Sequence, residues 1–293
     1  VDLRLNLASG PWTAEVSPQI GGAILSLANG GVPILRPTPD AVVEAHDVRH
    51  TACYPLIPYA NRIANGHFSF AGEARQLAPN FEGPHTLHGV AWRRSWRTLR
   101  ADATSCAIAF EHRPLGEDAA DWPFAFDTRQ VFELGADGLT VRMAITNADD
   151  RPAPAGLGLH AFFPRRPGER VAFRAAAGWT NGADMLPAAR HAGGKWDFAD
   201  GQAVDPLDMD NDFDGWDGEA RLSGPGRPDT LLRADAAFPL LRLYTPPGRD
   251  YYAVEPVTHA ADAIHHPDAS GAMAVLAPGQ TLAGEVRFGL GPG

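Results

Sequence analysis

Strict alternation of apolar and polar residues is the feature that most limits what this chain can become. Leu139, Val141, Met143 and Ile145 share one parity, with Thr140, Arg142 and Thr146 on the other. Leu282, Val286, Phe288 and Leu290 stand in the same way against Thr281, Glu285 and Arg287, and Cys106, Ile108 and Phe110 repeat the pattern. A period of two with one wet face marks half-buried strands of an antiparallel sheet. Turn-forming words punctuate these runs: Gly135-Ala-Asp-Gly138, Asn147-Ala-Asp-Asp150 and Pro246-Pro-Gly248. The 31 glycines and 26 prolines weaken helix interiors and favour turns. Residues 179–235 are polar and rich in Gly, Asp and Pro, and read as long loops decorating the sheet. With no fixed-period repeat and no linker, the expected fold is mainly β: a large antiparallel two-sheet sandwich built as a single domain over residues 1–293.

The balance of residues removes several function classes. A formal net charge of −10 repels phosphate backbones, so nucleic acid is not an expected partner, and it argues weakly against a phosphorylated substrate. Two cysteines, Cys53 and Cys106, make no disulfide framework and suit a reducing compartment. No apolar run approaches the roughly 18 residues of a membrane span. The opening Val1-Asp-Leu-Arg4-Leu-Asn6 lacks a basic stretch followed by an apolar one, so no signal peptide is read and a cytoplasmic location is expected.

Four clusters carry potential chemistry. In Tyr59-Ala-Asn61-Arg62-Ile63, the arginine either presents its planar fork to hydroxyls or pairs with a carboxylate at the surface. In His85-Thr-Leu-His88-Gly89, two histidines three apart invite a metal, but a zinc site needs three or four ligands and neither cysteine is near in sequence. Trp92 and Trp96 follow, either as a wall for an apolar sugar face or as core. His160 sits in the apolar run Gly156-Leu-Gly-Leu-His160-Ala-Phe-Phe163; it is either a hydrogen-bonded core histidine or one whose partly dry setting tunes its proton affinity near neutrality. Glu255 stands between Val254 and Pro256 in an apolar strand, where a carboxylate is costly without a partner. A buried ion pair accounts for it nearly as well as a catalytic group. Asp210-Asn-Asp212-Phe-Asp214-Gly215 opens like a calcium loop, but position twelve is Arg221 instead of a bidentate glutamate, and calcium is rejected.

Taken in order, these words resemble the aldose 1-epimerase (galactose mutarotase) family, in a divergent bacterial-type branch. Asn61-Arg62-Ile63, Asn65-Gly66, Gly72, Asn80, Leu87-His88-Gly89, Trp96, Gly158-Leu-His160-Ala-Phe-Phe163, Asp210 to Trp216 and Glu255-Pro256-Val-Thr-His259 carry the resemblance across nearly the whole chain. Gly21-Gly22-Ala-Ile and Leu276-Ala-Pro278-Gly279 extend it. The resemblance implies a supersandwich of large antiparallel sheets, a small sugar as the partner, and neither cofactor nor metal. It also implies roles: Glu255 as the base on the anomeric hydroxyl, His160 as the acid at the ring oxygen, His88 and Arg62 on the ring-oxygen side with Asn61 beside them, and Asp210 on sugar hydroxyls. Groups titrating near neutrality and a bell-shaped pH profile are expected of such a pair. The segment Pro247-Gly-Arg249-Asp-Tyr251-Tyr252 departs from the wording of galactose mutarotases, so the sugar is not specified.

Two rival readings accompany this one. A mutarotase for hexose 6-phosphates needs basic residues, for which Arg93, Arg94 and Arg97 are candidates. A sugar-binding or sugar-sensing protein without catalysis needs neither a poised acid nor a base. The oligomeric state is not legible, and His85, His259, His265 and His266 are expected to do no more than fill loops.

Overall fold

A computed structural model describes residues 4–266 and 271–291. Residues 1–3, where the reading of the chain's opening begins, and residues 292–293 at the end of the expected domain lie outside them. The alternating runs form strands. Phe126–Gly135 and Gly138–Asn147 make a long hairpin around the Ala-Asp turn, and Thr281–Leu290 pairs with its second arm. Along that arm Leu139, Val141, Met143 and Ile145 are buried, as the parity requires.

Every ladder between named strands is antiparallel, and two large sheets dominate. One has nine strands and contains the hairpin. The other has eleven. Its middle runs Cys53–Pro55, Leu159–Pro164, Tyr251–Val257, Leu240–Tyr244 and Asp210–Asp214, each paired with the next. A shared core fills the space between the sheets, with Trp12, Val16, Phe163, Tyr252 and Val254 from the larger and Phe132, Val141, Val286 and Phe288 from the smaller. This is the sandwich the alternation predicts.

The outer face of the larger sheet is covered as well. Leu25, Tyr54, Trp92, Phe162, Ala253 and Val257 form a second apolar cluster there, closed over by the segment that runs from the first strands through Trp92. Strands buried on both faces lose their alternation and read as near-continuous apolar runs. That is why His160 and Glu255 stand among apolar neighbours: each lies on the outer face of a doubly covered strand.

Two expectations need correcting. Residues 179–235 are not loops laid over the sheet: they contribute Pro187–His191, Gln202–Ala203, Asp210–Asp214, Glu219–Ser223 and Thr230–Ala234 to the two large sheets. Short strands full of Gly, Asp and Pro look like loops locally, and sheet partners distant in sequence decide otherwise. His259 is also more than loop filling. It is buried, accepts the backbone N–H of Ala60 at Nε2 (3.1 Å) and donates from Nδ1 to the carbonyl of Ala260 (2.8 Å).

Candidate active site

Cross-strand register lines up the site. Tyr54 is opposite His160, Asp212 opposite Arg242, and Arg242 opposite Glu255. Ala161 is opposite Val254, so continuing that register by one residue sets His160 opposite Glu255. Five strands thus place Tyr54, His160, Glu255, Arg242 and Asp212 in one row on the outer face. Above the row lies a cleft of about 280 Å³ whose lining includes Asn61, Arg62, His88, Asp210, Tyr244 and Tyr251. All six residues expected from the sequence, Glu255, His160, Asn61, Arg62, His88 and Asp210, meet in it.

At its floor His160 Nε2 lies 3.4 Å from Glu255 Oε1, with the residues 7% and 1% exposed. Among the described residues His160 Nδ1 and Glu255 Oε2 have no hydrogen-bond partner. Burial acts on both by disfavouring charge. It pulls His160 down to about 3, Asp210 opposing and Arg242 and Arg36 reinforcing the shift. It pushes Glu255 well above the usual carboxylate range, against the pull of Arg242. Burial thus carries His160 away from the neutral range expected of it. It drives the two proton affinities apart, lowering that of the imidazole and raising that of the carboxyl.

The walls are set by the Asn61 and His88 words. Arg62–Ile63 pairs with Thr86–Leu87, and the N–H of His88 donates to the carbonyl of Asn61 (2.9 Å). The N–H of Asn61 in turn donates to His88 Nδ1 (3.0 Å). That bond fixes the neutral tautomer with its proton on Nε2. Burial also holds His88 well below the ordinary histidine range, so it acts as a neutral donor. Asn61, at φ 59°, accepts from the N–H and Nη1 of Arg62 (2.8 and 3.2 Å), which aims the guanidinium. Gly89 has φ 71°, and a Cβ there would sit 2.4 Å from the carbonyl oxygen of Ile57. That oxygen accepts the N–H groups of Val90 and Ala91, so only glycine closes the turn after His88. Asn80 holds the same strand by exchanging side-chain hydrogen bonds with Leu87 (2.9 and 2.8 Å).

Aromatic rings and a buried ion network complete the cleft. Tyr54 stacks on Trp92 at 5.5 Å between centroids, and His160 on Phe162 at 4.4 Å. Trp92 thus belongs to the wall, whereas Trp96 is core. Asp210 is held below the ordinary carboxylate range: burial opposes this, and Arg242 and Arg62 overcome it. Arg242 was not among the expected residues. The only sign of it in the sequence is a lone charge in Leu240-Leu-Arg242-Leu-Tyr244, a run buried on both faces.

The remaining candidates fall elsewhere. Arg94 pairs with Asp118 and Asp121, Arg93 lies 3.9 Å from Asp121, and Arg97 lies 3.5 Å from Glu111; none lines the cleft. These arginines do not form the phosphate site a hexose 6-phosphate would need. His85 accepts the N–H of Asn65 (2.9 Å), and His265 pairs with Asp262 (2.7 Å). Among the described residues no three His, Cys, Asp or Glu side chains group as a metal set, and no helix is long and apolar enough to cross a membrane.

The aldose 1-epimerase family model matches residues 8–289. The chain belongs to the aldose 1-epimerase family. Among its relatives is the uncharacterized protein YphB of Escherichia coli K12, 28% identical over 96% of this chain and 97% of that one. A solved putative aldose 1-epimerase from the same organism superposes with a TM-score of 0.88 at 27% identity, over 98% of each chain. A galactose mutarotase-like protein from Clostridium acetobutylicum shares the fold, with a TM-score of 0.87 at 18% identity over 98% of this chain and 95% of its own. The galactose mutarotase-like architecture of the family is the one described above.

Proposed function

We propose that this aldose 1-epimerase family member is a mutarotase, interconverting the α and β anomers of a hexose such as glucose or galactose on one domain that spans the chain. The observation that carries the proposal is the facing pair at the cleft floor. An imidazole and a carboxyl, both buried, oppose each other at 3.4 Å. A binding site for neutral hydroxyls has no need of such a pair, whereas ring opening requires two proton transfers on one side of the sugar.

The steps balance with one proton held by the pair. In the ionised arrangement, Glu255 as carboxylate takes the proton from O1 while protonated His160 gives one to the ring oxygen. The O1–C1 bond becomes a carbonyl as the C1–O5 bond breaks, leaving the open aldehyde. Glu255 is then the neutral acid and His160 the neutral base, the state that burial favours. Rotation about C1–C2 presents the other carbonyl face. His160 removes the proton from the O5 hydroxyl, O5 attacks C1, and Glu255 returns a proton to O1. Positioned general acid and base each contribute roughly 10²–10⁴-fold. In this reading His88 Nε2–H and Arg62 donate to ring-side oxygens, Asn61 orients Arg62, and Asp210 accepts from hydroxyls.

The test is polarimetry of freshly dissolved α-D-glucose and α-D-galactose with wild type and Glu255→Gln. Acceleration by the wild type alone is expected. Sugar binding without acceleration by the wild type would assign the cleft to a non-catalytic sugar-binding protein.

A further inference from the structure

We infer that Arg242 is a positioning residue of this cleft, holding Asp210 for the sugar and setting the charge state of Glu255. The inference rests on the mutarotase reading. Arg242 is 2% exposed and comes from the strand between those of Asp212 and Glu255. Its Nε and Nη2 donate to Asp210 Oδ1 at 2.9 and 2.6 Å, and Nη2 also donates to the Asp210 carbonyl at 2.8 Å. Nη1 donates to Asp212 Oδ1 at 2.7 Å, and the other oxygen of Asp212 accepts the N–H of Ala261 at 2.9 Å. The planar fork therefore fastens Asp210 by one oxygen. The second oxygen, 3.6 Å from Arg62 Nη1, is the one left to accept from a substrate hydroxyl. A lysine carries the charge but not the fork.

Charge balance assigns the second role. The groups around Glu255 are Cys53 and Tyr54 on one strand, His160 on the next, Arg242 and Tyr244 on the other side, Asp210 and Asp212 beyond them, and Arg62 and His88 from the covering loops. Of these, Asp210, Asp212 and Glu255 are acids, and Arg62 and Arg242 are permanent cations. Arg36, over the Phe162 and Tyr251 rings at 4.5 and 4.3 Å, is a further cation that acts on His160, and Arg49 lines the cleft but stands exposed to solvent, where water screens it. Arg242 is the cation that acts most strongly on Glu255, ahead of Arg62, and it opposes the neighbouring Asp210 and Asp212. Residues directly opposite on neighbouring strands have Cβ atoms about 5 Å apart, close enough for Arg242 to favour ionised Glu255. Without Arg242 the main opposition to Asp210 and Asp212 is gone, and Glu255 stays a neutral acid through the reaction.

The experiment compares wild type, Arg242→Lys and Arg242→Met by polarimetry for kcat and KM from acid to alkaline pH. Difference infrared spectroscopy follows, in the same proteins, the protonated-carboxyl band that Glu255→Gln removes. Arg242→Lys should raise KM about tenfold while leaving the titration of Glu255 within about half a pH unit of wild type. Arg242→Met should raise that titration by about a unit or more, and lower kcat at neutral pH at least about tenfold, because each unit cuts the ionised fraction tenfold. Asp212→Asn removes an acid instead and should move the titration the opposite way. It decides the matter if Arg242→Met does not fold. An unmoved carboxyl titration in both Arg242→Met and Asp212→Asn would overturn the charge role, and unchanged KM in Arg242→Lys would overturn the clamp. If wild type accelerates no sugar, the mutarotase reading fails, while the infrared titration still decides whether Arg242 sets the charge of Glu255.

Discussion

Replacing Glu255 with glutamine should cost activity and gain stability, and the gain should depend on pH in a calculable way. The side chain is buried, Oε2 has no hydrogen-bond partner among the described residues, and burial raises its proton affinity well above the ordinary value of 4.5. Above pH 4.5 the unfolded chain has released this proton, whereas the native state retains it up to the raised native value. In that window the native state binds more protons than the unfolded one, so stability falls as pH rises, by about 1.4 kcal/mol per unit. Glutamine has no such proton. The stability difference between Glu255→Gln and wild type should therefore grow by about 1.4 kcal/mol per pH unit above 4.5 and level off once the native glutamate ionises. Urea unfolding of both proteins at unit steps from pH 5 to 9 measures it, and polarimetry on the same samples should show turnover reduced roughly 10²–10⁴-fold. A difference that stays flat with pH would refute the buried-acid argument. Wild-type turnover in the variant would refute the assignment of the base.

The other predictions probe separate parts of the structure. His160→Asn should lower kcat roughly 10²–10⁴-fold with little change in KM, seen by polarimetry at saturating sugar. Gly156→Ala should weaken sugar binding and lower the melting temperature. Its Cβ would sit 2.2 Å from His259 Cδ2, forcing that ring off the Ala60 N–H and shifting the Asn61–Arg62 segment, at a cost of about 1–3 kcal/mol. Arg227→Met should destabilise by about 3–5 kcal/mol in urea, because it strands the buried carboxylate of Glu169, which also accepts from Tyr252 (3.2 Å). Acid should destabilise the protein below pH 6.5. His88, His160 and His259 have lowered affinities when folded, so the unfolded chain takes up protons first, and the urea midpoint should fall from pH 7 to pH 5.

What the sequence disclosed and concealed follows from which faces are covered. The smaller sheet has strands with one wet face, so its hairpin and last strand could be read by parity. In the larger sheet, packing on both faces erased the alternation, and His160 and Glu255 showed as lone polar residues with two meanings each. The family resemblance, rather than local chemistry, separated those meanings. Arg242 escaped because a single arginine in an apolar run is usually a long side chain reaching solvent; its partners Asp210 and Asp212 lie some thirty residues away and pair with it only through the sheet. His259 was missed for the same reason, since its bond to Ala60 spans 199 positions. The pull of burial on the acid–base pair was also invisible, because it depends on Trp92 and the covering segment packing over Tyr54 and Phe162 of the sheet.

The row from Tyr54 to Asp212 draws one residue from each of five strands whose order across the sheet is not their order along the chain. Asp212, Arg242 and Glu255 come from one stretch of the chain, and Tyr54 and His160 reach them only through the sheet. Because side chains alternate faces, a slip of one residue in Tyr251–Val257 would exchange Glu255 for Val254 at the cleft floor and drive the carboxyl between the sheets. Pairings of such long range form late and slowly. Catalytic competence in this architecture is therefore a report on sheet registration itself, and recovery of activity during refolding should trail the return of β signal.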